Sequence, residues 1–203
     1  MSSEDIYIKG FATSEGTKKF RDNAIKKGKS YLHFKEFDDL MLSSIGIGTY
    51  LGDLSKEDDK DIENALYESV KSGAINVIDS SINYRAMKSE KSVGRSITKL
   101  VRDGIISRDE IFVSTKNGYI TNDGDYPMVD VWEYIQRMYI SPGIIKAEDI
   151  SSGYNVLNPA YIEKCVERSR FNLNLDTIDL VYIHNAFESW NQDVSKNKFI
   201  DML

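Results

Sequence analysis

"INVIDSSINYR", residues 75–85, decides how the chain is read. It opens as a buried strand, with apolar Ile75, Val77 and Ile78 behind a Gly73 turn. An acid, Asp79, stands where the apolar run stops, and a phenol, Tyr84, follows five residues on. A strand that ends on an ionisable residue delivers that residue to one end of a sheet. What matters next is which other side chains the sequence brings to the same end.

Outward from this stretch, strands and helices alternate. "SSIGIGTYL" (43–51) reads as a strand, "KEDDKDIENALYESVKSG" (56–73) as a helix, "AINVID" (74–79) as a strand and "SEKSVGRSITKLVRDG" (89–104) as a helix. "EIFVSTK" (110–116), "NPAYIEKCVERSRFNL" (158–173) and "TIDLVYIH" (177–184) continue the pattern as strand, helix and strand. The first of these helices sets Ile62, Leu66 and Val70 on one face, carries acids in its first turn and stops at Gly73. Ahead of the pattern, residues 13–27 predict a short polar helix and "YLHFKEFDDLML" (31–42) a hairpin turning near Asp38 and Asp39.

Near-continuous apolar strands, each followed by an amphipathic helix, mean parallel strands covered by helices, an α/β class. A doubly wound nucleotide fold wants a glycine-rich phosphate loop after its first strand, and "GIGTYLGD" (46–53) is not GxGxxG leading into a helix. A (β/α) barrel puts polar residues at the C-terminal strand ends, where barrel sites lie. That expectation is met three times: by Asp79, by Lys116 and by His184, each the first ionisable residue after a strand core. Taken singly, a strand-end Asp is a turn former, a strand-end Lys is solvated and the His is a core residue. Three consecutive strand exits instead predict one converging site.

Composition sets the outer limits. The 203 residues, 41% hydrophobic and 29% charged, are those of an ordinary globule, and a net charge of −6 argues against nucleic acid as a partner. The lysine pairs at 18–19 and 26–27 read as a solvated helix face. One cysteine, Cys165, excludes an internal disulfide, and two histidines, His33 and His184, do not assemble the usual zinc sets, so no metal is expected. Cys165 reads as a small helix-packing residue and His33 as structural or exposed. No run approaches a membrane span and the start carries no leader pattern, so a cytoplasmic location without a membrane partner is the expectation.

A cation beside a phenol favours the phenolate form, so a tyrosine so placed can give a proton to a carbonyl oxygen near neutral pH. Asp79 would hold the Lys116 ammonium beside Tyr84, and His184, as a neutral imidazole, would orient the same oxygen. None of these side chains supplies a hydride, which calls for a nicotinamide cofactor.

At these residues the chain resembles the aldo-keto reductases. The resemblance rests on "GTY" (48–50), "GAINVIDSSINY" (73–84), "SEKSVGRSI" (89–97), "RDEIFVSTK" (108–116) and "LDTIDLVYIHN" (175–185), in order along the chain. It implies a TIM barrel that uses NADPH to reduce aldehydes and ketones, small carbonyl substrates, with Tyr84 as acid, Asp79 and Lys116 tuning it and His184 orienting the carbonyl. Contacts to nicotinamide and substrate would fall on Gly48, Thr49, Tyr50, Asp79 and Asn185.

The chain departs from that family at three points. Arg85 follows the tyrosine where Gly is usual, as in a bacterial and archaeal subgroup with Asn-Tyr-Arg. Lys116 and His184 stand 68 positions apart, about twice the spacing of compact members, because residues 118–159 form a long insertion after the third strand of the pattern. In that insertion Val131, Tyr134, Ile135 and Met138 fall at helical spacing, either to cap the pocket mouth as a substrate lid or to pack on the barrel rim. Finally, the pattern shows about four βα units where a closed barrel has eight, and "SKNKFIDML" (195–203) reads as the start of a further helix.

The expectation is therefore one domain over 1–203, a TIM-type half-barrel with an N-terminal extension at 1–42. It would lack the family's residues for the nicotinamide amide, pyrophosphate and 2′-phosphate, and it would self-associate to cover its open edges and faces. Two other readings compete: a non-catalytic remnant acting as an assembly module, and a Schiff-base aldolase with Lys116 as the amine.

Overall fold

The computed structural model describes residues 7–126, 129–152 and 154–187. The helix start read at 195–203, Trp190 and Pro127 lie outside them. The elements are α1 (Ser14–Lys26), a hairpin of β1 (Phe34–Phe37) and β2 (Leu40–Ser43), then β3 (Ile47–Gly48), α2 (Lys56–Lys71), β4 (Val77–Asp79), α3 (Lys88–Arg102), β5 (Phe112–Asn117), α4 (Val131–Ile135), α5 (Pro159–Leu173) and β6 (Leu180–Ile183).

The helices start and stop where local chemistry dictates. Ser55 caps α2 by accepting from the Asp58 amide, three acids sit in its first turn, and Gly73 leaves it at φ +76°, which costs a glycine little. Asn158 caps α5 ahead of Pro159, and Asn174 ends it in the left-handed region. The hairpin turns through Asp38 and Asp39, both at positive φ.

Four parallel strands stand in chain order, β3-β4-β5-β6, each pairing with its sequence neighbour. Along β4 the side-chain period of two sends Ile78 to the helices and Val77 and Asp79 to the other face. The helical face is closed by Ile78 and Val113 of the strands, Leu66 and Val70 of α2, and Val93, Ile97 and Leu100 of α3. Phe20, Ala24, Phe34 and Met41 from the first 42 residues belong to the same core. Each such fully buried aliphatic side chain contributes roughly 1.5–3 kcal/mol. A side chain at Gly94 of α3 would stand 2.4 Å from the Asn172 carbonyl oxygen, so only glycine lets α3 and α5 meet there.

The insertion after β5 folds back on its own start: Tyr119 bridges Asn155, and the Val156 amide donates to the Gly118 carbonyl. Beneath it lies a second core of Ile82, Met87, Ile120, Ile135, Tyr139, Ile145, Val156, Tyr161 and Cys165, with Val131 and Tyr134 packed against it. The apolar side of α4 is therefore spent on packing, and of the four residues at helical spacing Met138 stays exposed.

The strands are shorter than the sequence predicts. The run at 43–51 contributes only Ile47–Gly48 to the sheet. This strand is paired on one side only among the described residues, so few of its backbone groups are drawn into a ladder.

Candidate active site

The register puts Gly48, Asp79, Ser114 and Leu180 in one row across the sheet, and Lys116 one pleat further along β5. Asp79 and Lys116 thus rise from neighbouring strands on the same face. The Lys116 Nζ lies 2.5 Å from Asp79 Oδ2 and 2.7 Å from the Ser80 carbonyl oxygen. The other carboxylate oxygen, Oδ1, accepts from Ser114 Oγ at 2.7 Å. Both side chains remain partly solvated, 18% exposed for Lys116 and 39% for Asp79, so the pair adds little to stability and its product is placement.

The ammonium so placed stands over the Tyr84 ring, 4.8 Å from its centroid, where the ring's negative face attracts it. Tyr84 packs edge to face with Tyr50 at 5.1 Å and with His184 at 5.8 Å, and Tyr119 of the insertion meets the far side of His184 at 4.9 Å. The four residues picked from strand exits and from the quoted stretch, Asp79, Tyr84, Lys116 and His184, come together in one patch.

His184 is held on every side. Its amide donates to the Asn117 carbonyl at 2.7 Å, its own carbonyl accepts from Asn155 Nδ2 at 2.5 Å, and its Nδ1 lies 3.1 Å from Ser81 Oγ and 3.2 Å from Asn83 Oδ1. Ser81, Asn83, Ser114, Tyr119 and Asn155 were not marked by the sequence reading. Ser114 carried a signal, because it lies two residues before Lys116 and so on the same strand face. Tyr119 and Asn155 carried none, since their place depends on how the insertion folds back.

The loop that carries Tyr84 runs through three consecutive positive-φ residues, Arg85, Ala86 and Met87. Such a conformation costs an L-residue about 1–2 kcal/mol. Arg85 offsets it from a buried position, donating to Asp59 Oδ1 at 2.7 Å, to the Asp53 carbonyl at 2.6 Å and to the Ser55 carbonyl at 3.2 Å. The arginine where glycine is usual fastens the tyrosine loop to the start of α2.

Of the residues expected at a nicotinamide, Gly48 is exposed, with open space where a side chain would point, and Tyr50 is exposed beside Tyr84. Thr49 is buried, its hydroxyl donating to Ser80 Oγ at 2.9 Å and its carbonyl accepting from Ser89. Asn185 is exposed and donates to the Tyr119 hydroxyl at 3.3 Å.

Two further titratable groups, Glu90 and Cys165, lie behind the sheet. Glu90 of α3 is wholly buried between Thr115 Oγ1 at 2.6 Å and Asn172 Nδ2 at 2.8 Å, and burial lifts its carboxyl above the ordinary value against those hydrogen bonds. Burial likewise pushes the Cys165 thiol up to about 12, which suits packing and not nucleophilic chemistry. A groove of about 860 Å³ runs between α3 and α5 on the outer side, where Lys91 already pairs with Asp123 and Asp125, and Arg168 with Asp123. Among the described residues no group of three or more His, Cys, Asp or Glu could hold a metal ion, and no helix is long and apolar enough to cross a membrane.

The chain belongs to the aldo/keto reductase family, whose profile matches residues 44–201. It is 23% identical over 145 residues to the NADPH-dependent D-xylose reductase of Candida boidinii, covering 71% of this chain and 32% of that one. It is 25% identical over 145 residues to the NADPH-dependent aldose reductase of Saccharomyces cerevisiae, covering 71% and 31%. Among solved structures it superposes on an aldo-keto reductase complexed with NADPH with a TM-score of 0.53 at 18% identity, covering 83% of this chain and 41% of the other. The chain thus spans about a third of the length of the curated relatives it matches, and its sheet is part of a TIM barrel.

Proposed function

We propose that the chain carries the proton-donating site of a nicotinamide-dependent carbonyl reductase, with aldehydes or ketones as substrates. The observation that carries this reading is the Lys116 ammonium, fixed by Asp79 at 2.5 Å and set over the Tyr84 ring. Tyr84 gives its proton to the carbonyl oxygen as that oxygen gains negative charge, and Lys116 stabilises the phenolate left behind. Asp79 and Ser114 hold the ammonium, and the ring of His184 lies against Tyr84 to orient the substrate.

The residues present fit the nicotinamide end of NADPH. The open floor at Gly48 and the exposed ring of Tyr50 leave room for a flat ring beside Asp79, with the Thr49 backbone between them and Asn185 past the end of β6. Bound there, the cofactor supplies the hydride that this chain's own side chains cannot.

The test is turnover of an aromatic aldehyde by the purified chain with NADPH, together with calorimetric titration of NADPH alone. Tyr84→Phe should leave binding intact and lower turnover by about 10²–10⁴-fold. Turnover indifferent to that change, or no heat on titration, overturns the reading. A Schiff-base reaction at Lys116 needs an unengaged amine, and Nζ is already bound to two oxygen acceptors.

The same reading treats 1–203 as one domain of about four βα units that pairs with a second copy. Among the described residues β3 and β6 are each paired on one side only, and Tyr182 and Ile183 of β6 are exposed. Sedimentation at micromolar concentration should give a dimer or larger species; a monodisperse monomer refutes the pairing.

A further inference from the structure

Each of the four residues after Tyr84 is gripped from outside its own loop. Left-handed backbone at Arg85, Ala86 and Met87 is disfavoured for residues that carry a side chain, and α3 starts at Met87 without a side-chain cap. The conformation is therefore imposed by what surrounds it. On one side stands the start of α2, which takes the Arg85 guanidinium through Asp59 and the carbonyls of Asp53 and Ser55.

On the other side stands the insertion. The Gly124 amide donates to the Ala86 carbonyl at 2.8 Å. The wholly buried Met87 side chain joins the second core with Ile120, Ile135 and Val156. Lys88 Nζ spans both sides, 2.7 Å from Asp59 Oδ2 and 3.3 Å from Asp125 Oδ1. A side chain at Gly124 would stand 3.1 Å from the Ala86 carbonyl oxygen and 3.0 Å from Lys88 Cδ, so glycine is what lets the two segments meet this closely.

The insertion is itself anchored at this point. Asp123, 1% exposed, accepts from Lys91 of α3 at 2.5 Å, from Arg168 of α5 and from the Asp125 amide at 3.1 Å. A buried acid held by two helices thus fixes the turn that carries Gly124 and Asp125.

We propose that the insertion is a brace for the Tyr84 loop, with Gly124 and Lys88 as positioning residues that keep the phenol ring against the Lys116 ammonium. What the brace does for catalysis rests on the reductase reading above; what it does for the position of the ring does not.

The test is the nuclear Overhauser effect between the Lys116 ε-methylene and the Tyr84 ring in the isotope-labelled full chain, recorded without cofactor or substrate and assigned with Tyr84→Phe. A second lysine over a tyrosine, Lys99 Nζ at 3.5 Å from the Tyr67 ring centroid, shares no residue with the brace and reports an intact fold. Gly124→Val should abolish the Lys116–Tyr84 effect and keep the Lys99–Tyr67 one. Lys88→Met should weaken the first, and Lys88→Arg, which keeps a cation between Asp59 and Asp125, should restore it. In the aldehyde assay Gly124→Val should lower kcat by about 10²-fold, the scale of a displacement of about 1 Å, with NADPH binding unchanged. A Lys116–Tyr84 effect at full strength in both Gly124→Val and Lys88→Met overturns the proposal. Should Gly124→Val lose its fold, the contrast between Lys88→Met and Lys88→Arg decides alone. An effect missing from the parent chain refutes the site itself, a separate result, and a chain that reduces nothing leaves the spectra to decide the brace.

Discussion

The two ends of the parallel sheet each hold an aspartate paired with a cation, and the pairs differ in every respect except charge. At the N-terminal end, Arg108 Nη2 meets Asp179 Oδ2 at 2.7 Å with side chains 3% and 4% exposed. Asp179 also accepts from the amides of Val113 at 2.7 Å and Ala12 at 2.6 Å, and Arg108 donates to the carbonyls of Ile111 and Thr177. Nearly every polar group of that pair is spent on backbone, so it ties the N-terminal segment and two strands together. At the C-terminal end, Asp79 and Lys116 are partly solvated and each keeps one backbone partner or none. The same chemistry is a clasp where water is excluded and an accessible pair where it is admitted.

The contrast breaks most sharply at Asp179. Asp179→Ala leaves Arg108 buried without its partner and should cost about 3–5 kcal/mol in urea denaturation; a loss below about 1 kcal/mol would make the two ends equivalent. Next in size is Asn76, wholly buried, whose amide accepts from the Ser43 amide at 2.8 Å and donates to the carbonyls of Met41 at 3.0 Å and Glu110 at 3.3 Å. Asn76→Ala should cost about 1–3 kcal/mol by the same measurement, because buried backbone groups lose their partner.

At the other end, Lys116→Met should change stability by less than about 1 kcal/mol while abolishing measurable turnover in the aldehyde assay. A large drop in stability would recast Lys116 as structural.

The smallest effect is a tilt of the pH curve and not a drop. The Glu90 carboxyl is raised above 4.5 in the folded chain by burial, so the folded state binds its proton more tightly than the unfolded one. Stability from this group is present at acid pH and is lost as pH rises from about 4.5 through the folded value. Glu90→Gln should therefore flatten that decline and gain relative to the parent at neutral pH, read as a melting temperature difference that shrinks toward pH 4.

Much of this arrangement was legible in the order of residues. Amphipathic helices between apolar strands announced the parallel sheet, and Asp79, Lys116 and His184 could be expected to lie together because the period of two fixes which face a strand-end side chain takes. Asp38 and Asp39 announced the hairpin turn. What escaped had physical reasons. Asn76 sits inside an apolar run and its partners come from the hairpin and from the turn before β5, so no local pattern marks it. Ser81 and Asn83 lie within the quoted stretch, yet small polar residues fill most loops, and only the return of His184 from 101 positions away gives Asn83 its use. The stripe on α4 was visible, but which side of it would be buried depended on Ile82 and Met87, residues from another unit.

The chain-order pairing of the four strands has a consequence for synthesis. Each strand finds its neighbour already made, so the sheet can grow by one unit at a time as the polypeptide leaves the ribosome. The beginning of the chain, in contrast, must wait: Ile8 bridges Leu175, and Gly10 and Ala12 donate to Asp176 and Asp179, more than 160 positions downstream. A nascent chain halted before Leu175 would hold residues 8–12 loose and open to proteases, and one released past Asp179 would lock them.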